Sequence, residues 1–285
     1  LWGEYSVEKS HIVDISTDQV SNAWSNVFDP KMLLPCITSD LSVDHIQELL
    51  SPIYTSGLQL SSQVDTPPPL PSLQESTLTL VHKPDRQQAL LFIAHPTISP
   101  HHPQWLALQV AICALGGTFS STLMQEVRVK RGLSYGAYAG IRGEANARFV
   151  CLNATPDAKN AVETLEVMLE VYGSVARGEI TDEALLFAKD YLINAHPFSI
   201  ETPAMRAGLS VSSALMGVNP SKSLDMPRWL RPLTVDEIRQ AAIDHLSIDR
   251  LELLVFGDQE GPLKGLFETI KNVIPLQKRI SDGCS

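Results

Sequence analysis

Residues 131–136 read RGLSYG and enclose GLSYG, a formal match to the G-x-S-x-G pattern in which Ser134 would be a hydrolase nucleophile. That chemistry needs a strand running into the serine and a helix leaving it, so that the hydroxyl stands on a sharp turn. The flanks read in the opposite order. Upstream, SSTLMQEVRVK holds no glycine or proline, and Leu123, Met124, Val127 and Arg131 recur at helical spacing. Ser120 or Ser121 is the expected N-cap, and Arg128, Lys130 and Arg131 gather in the last turn, where cations complement the helix dipole. Gly132 suits the C-cap. Downstream, YGAYAGIR alternates, which predicts Tyr135, Ala137, Ala139 and Ile141 on one face of a strand and Tyr138 on the other. Helix, glycine, strand is a nucleophile elbow reversed. On the residues alone, Arg128 reads as a solvated cation capping its helix and Tyr135 as a side chain packed in the sheet.

The chain that must position these groups is 285 residues long and 44% hydrophobic, enough for one large core or two smaller ones. No run approaches the roughly 20 apolar residues of a membrane span. A net charge of −10, with no long basic cluster, argues against nucleic acid or an anionic membrane as the main partner. Cys36, Cys113, Cys151 and Cys284 stand singly, without a C-x-x-C pair, so neither a zinc ribbon nor a disulfide framework is indicated. That usage leans towards a reducing, cytoplasmic compartment and leaves localisation open.

Along the chain, a helix is expected from about Thr17, a strand around Met32 to Thr38, and a helix from Val43 to Leu50. A proline-rich polar linker follows over residues 61–73. Two alternating segments, STLTLVH and QALLFIAH, joined by KPDR, read as a hairpin or close strand pair. An apolar helix is expected at Trp105 to Leu115, a strand at Arg148 to Ala154, and helices at Pro156 to Ala176, Thr181 to about Asn194, and from Thr202-Pro203 to near Gly217.

The end of the chain repeats its beginning. ISTDQVSNAWSNVFDPKMLLPCITSD, from Ile15, aligns without a gap at an offset of 218 with LTVDEIRQAAIDHLSIDRLELLVFGD, from Leu233. Asp18, Ala23 and Asp40 fall on Asp236, Ala241 and Asp258, and both units open with a capping box, Ser16-x-x-Gln19 and Thr234-x-x-Glu237. Two unrelated helix–strand units are the alternative. About 150 residues separate the linker from the second capping box, whereas 14 precede Ile15. The expected organisation is therefore the tail of one domain (1–60), a linker (61–73) and a complete homologous domain (74–285).

LGGTFSSTLMQEVRVKRGLSYGAYAG, residues 115–140, resembles the second-domain motif of the M16 (insulinase/pitrilysin-type) zinc peptidases, above all their bacterial processing-protease-like branch. Arg128 and Tyr135 stand at the spacing of that family's Arg/Tyr pair, and ETPAMRAGLSVSSALMG and the closing repeat unit also match its pattern. The resemblance covers roughly residues 74–260, with the first 60 as the end of a preceding domain. It implies an α+β fold, a mainly antiparallel sheet backed by helices, in two homologous domains. It also implies zinc on an inverted H-x-x-E-H motif in one half, the Arg/Tyr pair in the other, and extended peptides as substrates.

This chain departs from the full pattern. None of His11, His45, His82, His95, His101, His102, His196 and His245 forms H-x-x-E-H or H-E-x-x-H, so zinc is expected outside it, on an N-terminal fragment or partner subunit. His95, His101 and His102 read as exposed histidines of a proline-rich loop. By the resemblance, Tyr135 would donate a hydrogen bond to the carbonyl oxygen on which charge develops in amide hydrolysis. Arg128 would hold a backbone carbonyl of the peptide. Gly116, Gly117 and Phe119 complete the expected peptide-binding set; GGTFSST lacks the Gly-Lys-Ser/Thr ending of a phosphate loop. The leading expectation is the C-terminal part of a metalloendopeptidase, inactive as this chain alone. The second is a non-catalytic M16-homologous scaffold, and the third a serine hydrolase acting through Ser134.

Overall fold

The computed structural model describes residues 9–27, 35–55, 73–144 and 147–280. The expected linker, apart from Leu73, lies outside them. The helices are α1 (Lys9–Val13), α2 (Thr17–Val27), α3 (Val43–Thr55), α4 (Trp105–Gly116), α5 (Thr122–Met124) and α6 (Ala161–Ala176). They continue with α7 (Asp182–Ser199), α8 (Pro203–Leu215), α9 (Pro220–Leu224), α10 (Met226–Leu230), α11 (Val235–His245) and α12 (Leu266–Lys271). The strands are β1 (Ser76–His82), β2 (Leu90–Pro96), β3 (Ser134–Glu144), β4 (Ala147–Pro156), β5 (Glu252–Gly257) and β6 (Leu276–Ile280). Two compact units result. One comprises the described part of residues 1–67 with Ser199–Leu224, the other the described parts of 68–198 and 225–285.

In the larger unit the strands form one sheet in the order β3-β4-β2-β5-β1-β6. Neighbours from β3 to β5 run antiparallel, and β1 lies parallel to both β5 and β6. The segments expected to form a hairpin, β1 and β2, are not neighbours, because β5 lies between them. A strand from the far end of the chain enters there because LELLVF offers a buried face, Leu251, Leu253 and Val255, continuous with Leu78 and Leu80 of β1 and Leu91 and Ile93 of β2. Alternation along β1 to β5 leaves one face buried beneath α4, α6, α11 and α12. Helix α4, WLALQVAICALG, is apolar almost all round and is buried from Ala107 to Gly116 apart from the half-buried Gln109.

Caps decide where the helices start. Thr234 and Glu237 make a reciprocal box at α11, and Thr202 accepts from the Met205 amide ahead of Pro203 at α8. Helix α6 begins later than Pro156, which closes β4, and a 3-10 turn at Ala158–Asn160 joins the two. Helix α7 runs on through Pro197 to Ser199.

In the smaller unit, Ser16 and Gln19 form a second reciprocal capping box at α2, with bonds of 2.8 and 3.2 Å. The strand expected around Met32 to Thr38 falls partly outside the described residues, and its remainder, Pro35 to Thr38, is not a strand. A lone segment has no ladder to join.

Candidate functional site

The helix expected to carry Arg128 opens as α5 and continues as a π-helical turn over Gln125–Lys130. Leu123, Met124 and Val127 are buried and anchor it, whereas Arg131, expected on the same stripe, is exposed. Ser121 occupies the N-cap position, but its hydroxyl donates to the Thr118 carbonyl (2.6 Å) and leaves the helix uncapped by a side chain. Gly132 takes a left-handed φ of 63°, and its amide donates to the Arg128 carbonyl (3.1 Å). The Leu133 amide reaches the Val127 carbonyl (2.9 Å), which turns the chain straight into β3. Ser134 is buried there and donates to the Gly136 carbonyl at 2.9 Å, at the start of a strand and with no helix following. That is not a nucleophile elbow.

The start of β3 differs from simple alternation. Ser134 pairs with Pro156 and Ala137 with Ala154, so Tyr135 and Gly136 together face the single residue Thr155. This bulge carries an extra residue and shifts the alternation. Ala137 and Ala139 are buried as expected, while Tyr135, expected beside them, is thrown outward to 81% exposure. A Cβ on Gly136 would lie 2.7 Å from the Tyr138 ring, so a larger residue there would oblige that exposed side chain to shift.

The bulge and the π turn bring the expected pair together. The Arg128 guanidinium carbon lies 4.5 Å from the Tyr135 ring centroid and 5.8 Å from that of Phe119. A cation over two aromatic faces is held at about 0.5–1 kcal/mol per exposed contact. The nearby ionic partners are taken: Glu126 binds Lys130 and Arg131, whose hydrogen bonds, Lys130's first, hold its carboxyl below the usual range. Among the described residues no carboxylate pairs with Arg128. Arg128, Tyr135 and Phe119 thus form one cluster at the surface of the larger unit.

The glycines sit differently. Gly116 is buried where α4 meets β3, and a Cβ there would stand 2.3 Å from the Ala139 nitrogen. Gly117 is exposed and donates its amide to the Cys113 carbonyl at 2.8 Å. Gly116 therefore acts through packing, by letting α4 approach the strand that carries Tyr135.

The opposite end of the sheet holds a cavity of about 330 Å³ lined by His95, Thr97, Asp244, His245, Ser247 and Arg250, among others. His95 pairs with Val150 on β4, six residues and about 20 Å along from Pro156 beside Ser134. It lies within β2 and is largely buried rather than being the exposed loop histidine expected. Its Nδ1 is sealed from solvent with no partner among the described residues. Burial, and secondarily the Arg250 charge, lowers the imidazole from 6.5 to about 4. Below pH 6.5 the unfolded chain takes up a proton that the folded one refuses, so stability should fall as pH drops from 6.5 towards 4. Denaturant titrations across that window should lose much of their pH dependence in His95→Asn; an unchanged dependence would mean other groups cause it.

Among the described residues no three His, Cys, Asp or Glu side chains are grouped to hold a metal ion, and no helix is long and apolar enough to cross a membrane. The described residues do not fit a zinc site.

Residues 14–192 match the family described as the peptidase M16 inactive domain. The chain belongs to the M16 family. It is 21% identical over 253 residues to the non-peptidase homolog YmxG of Helicobacter pylori, covering 88% of this chain and 58% of that protein. An uncharacterized zinc protease of Mycobacterium tuberculosis is 32% identical over 184 residues, covering 63% of this chain and 41% of its own. The crystal structure of a peptidase M16 inactive domain from Pseudomonas fluorescens superposes with a TM-score of 0.67 at 24% identity, covering 77% of this chain and 52% of that one. The chain thus spans about half the length of these M16 relatives, and it corresponds to the C-terminal half of the M16 arrangement. The M16 fold accounts for the six-stranded sheet backed by helices.

Proposed function

We propose that this chain is the C-terminal, non-zinc part of an M16 metalloendopeptidase, binding an extended peptide and stabilising its scissile carbonyl through Arg128 and Tyr135. The observation that carries the reading is the stacking of Arg128 on Tyr135 at 4.5 Å, both at the mouth of β3 and without a structural ion pair among the described residues. The phenol is a neutral donor able to meet a carbonyl oxygen on which charge accumulates, and such donors contribute about 3 kcal/mol to the transition state. The guanidinium is a fixed charge with several donors in one plane, suited to a second backbone carbonyl. Phe119 supplies an apolar wall beside it. Zinc belongs to residues outside this chain, on an N-terminal part or partner subunit, which the relatives named zinc proteases support.

Two measurements test this. The protein recovered with its zinc-bearing partner should cleave a quenched-fluorescent unstructured peptide, and the chain alone should not. Arg128→Lys keeps the charge but loses the planar fork, so it should raise KM about tenfold with a stability change below ~1 kcal/mol. An assembly that retains zinc and partner yet cleaves no peptide would instead support a scaffold subunit, the reading favoured by similarity to a protein named a non-peptidase homolog.

A further inference from the structure

We infer that the cavity at the His95 end of the sheet binds a carboxylate carried on a short apolar body, with Arg250 as its ion partner. The cavity holds about 330 Å³, at the lower end of the range for small-molecule sites. It lies wholly within the larger unit. His95 stands about 20 Å along the sheet from the Arg128 and Tyr135 end, so neither zinc nor cleavage enters the inference. Pro96, Ile98 and Leu246 give the cavity an apolar wall, and Ser247 and Arg250 stand beside it.

The charges that line the cavity are unequally satisfied. Asp244 accepts from the side-chain amides of Gln104 and Gln240, each at 2.7 Å, so both of its oxygens are engaged. Arg250 has no such partner: among the described residues no carboxylate pairs with it. The two charges also act at different places. Arg250 acts on His95, whereas Asp244 acts on His245. His95 itself stays neutral at neutral pH, chiefly through burial, and adds no second cation. The Ser247 hydroxyl oxygen accepts from the Asp249 amide at 3.2 Å, which leaves its O–H as a donor. A guanidinium and a hydroxyl therefore border an apolar wall without an acceptor between them. A carboxylate supplies that acceptor: its two oxygens match the guanidinium fork, and its charge offsets one that the chain leaves uncompensated. One cation beside an apolar wall suits a monoanion with a hydrocarbon body.

Calorimetric titration of the full chain with sodium hexanoate should show one saturable site per chain. Hexanamide, of the same shape but uncharged, should bind about tenfold more weakly or worse. Arg250→Gln, at an exposed position, should weaken hexanoate by about tenfold or more without lowering Tm, which separates lost binding from unfolding. Arg86→Gln makes the same charge change at an exposed residue outside the cavity and should leave binding unchanged. Such a carboxylate comes either from a free acid or from the last residue of a peptide, and acetyl-Gly-Gly-Leu distinguishes them. Binding tighter than that of hexanoate assigns the site to peptide termini, and weaker binding assigns it to free acids. No saturable binding of either acid, equal affinity for hexanoate and hexanamide, or full affinity retained in Arg250→Gln would overturn the inference.

Discussion

Tyr135→Phe should lower kcat of the assembled peptidase by roughly 10²–10³, with KM changed only a few-fold. The substitution removes one hydroxyl from a side chain that is 81% exposed, so no core contact is lost. The ring remains for Arg128 to stack upon, because the cation is attracted to the aromatic face and not to the oxygen. Folding and partner affinity should therefore be unchanged, and the whole effect should appear in turnover. A donor that acts on charge developing in the transition state alters kcat, whereas one that binds substrate and transition state equally alters KM. Tyr138→Phe is the matched control, since Tyr138 lies over Gly136 on the neighbouring stretch of β3. Equal losses in the two variants, or no loss in Tyr135→Phe, would remove Tyr135 from the chemistry.

The sequence contains much of what brings this pair together, and particular residues show where its legibility stops. Capping residues are readable because they act locally: Thr202-Pro203, Thr234 with Glu237 and Ser16 with Gln19 each start a helix within four residues. Gly132 is readable for the same reason, as the left-handed residue between a helix and a strand. The neighbours of β1 and β2 are not, because insertion of β5 depends on matching faces across more than 150 residues. Alternation places Ala137 and Ala139 correctly but puts Tyr135 with them, since a bulge shifts the pattern without any residue that announces it. Gly136 after Tyr135 is a partial signal, as glycine inside a strand often marks such a site. The π turn at Gln125–Lys130 has no sequence marker, yet it sets where Arg128 stands. His95 is misread because PTISPHHP looks like a loop, while the histidine itself belongs to the strand before it.

Gly116→Ala should destabilise the larger unit by about 2–3 kcal/mol, although local propensity points the other way. Gly116 is the last residue of α4, and glycine to alanine inside a helix normally gains up to ~1 kcal/mol. Here the added Cβ would stand 2.3 Å from the Ala139 nitrogen and 2.5 Å from the Ala139 Cβ. Those atoms belong to a strand paired with β4, so neither can swing aside as the tip of a flexible side chain would. Overpacking of this kind costs about 1–3 kcal/mol or more, which outweighs the propensity gain because the helix must lift from the sheet to relieve it. For a unit of this size the loss corresponds to a fall in Tm of roughly 5–10 °C by calorimetry. The strand being pushed is the one that carries Tyr135 near its start, so turnover should fall further than the unfolded fraction explains. A rise in Tm would mean that α4 shifts freely against β3, and that the close approach is not what calls for glycine at position 116.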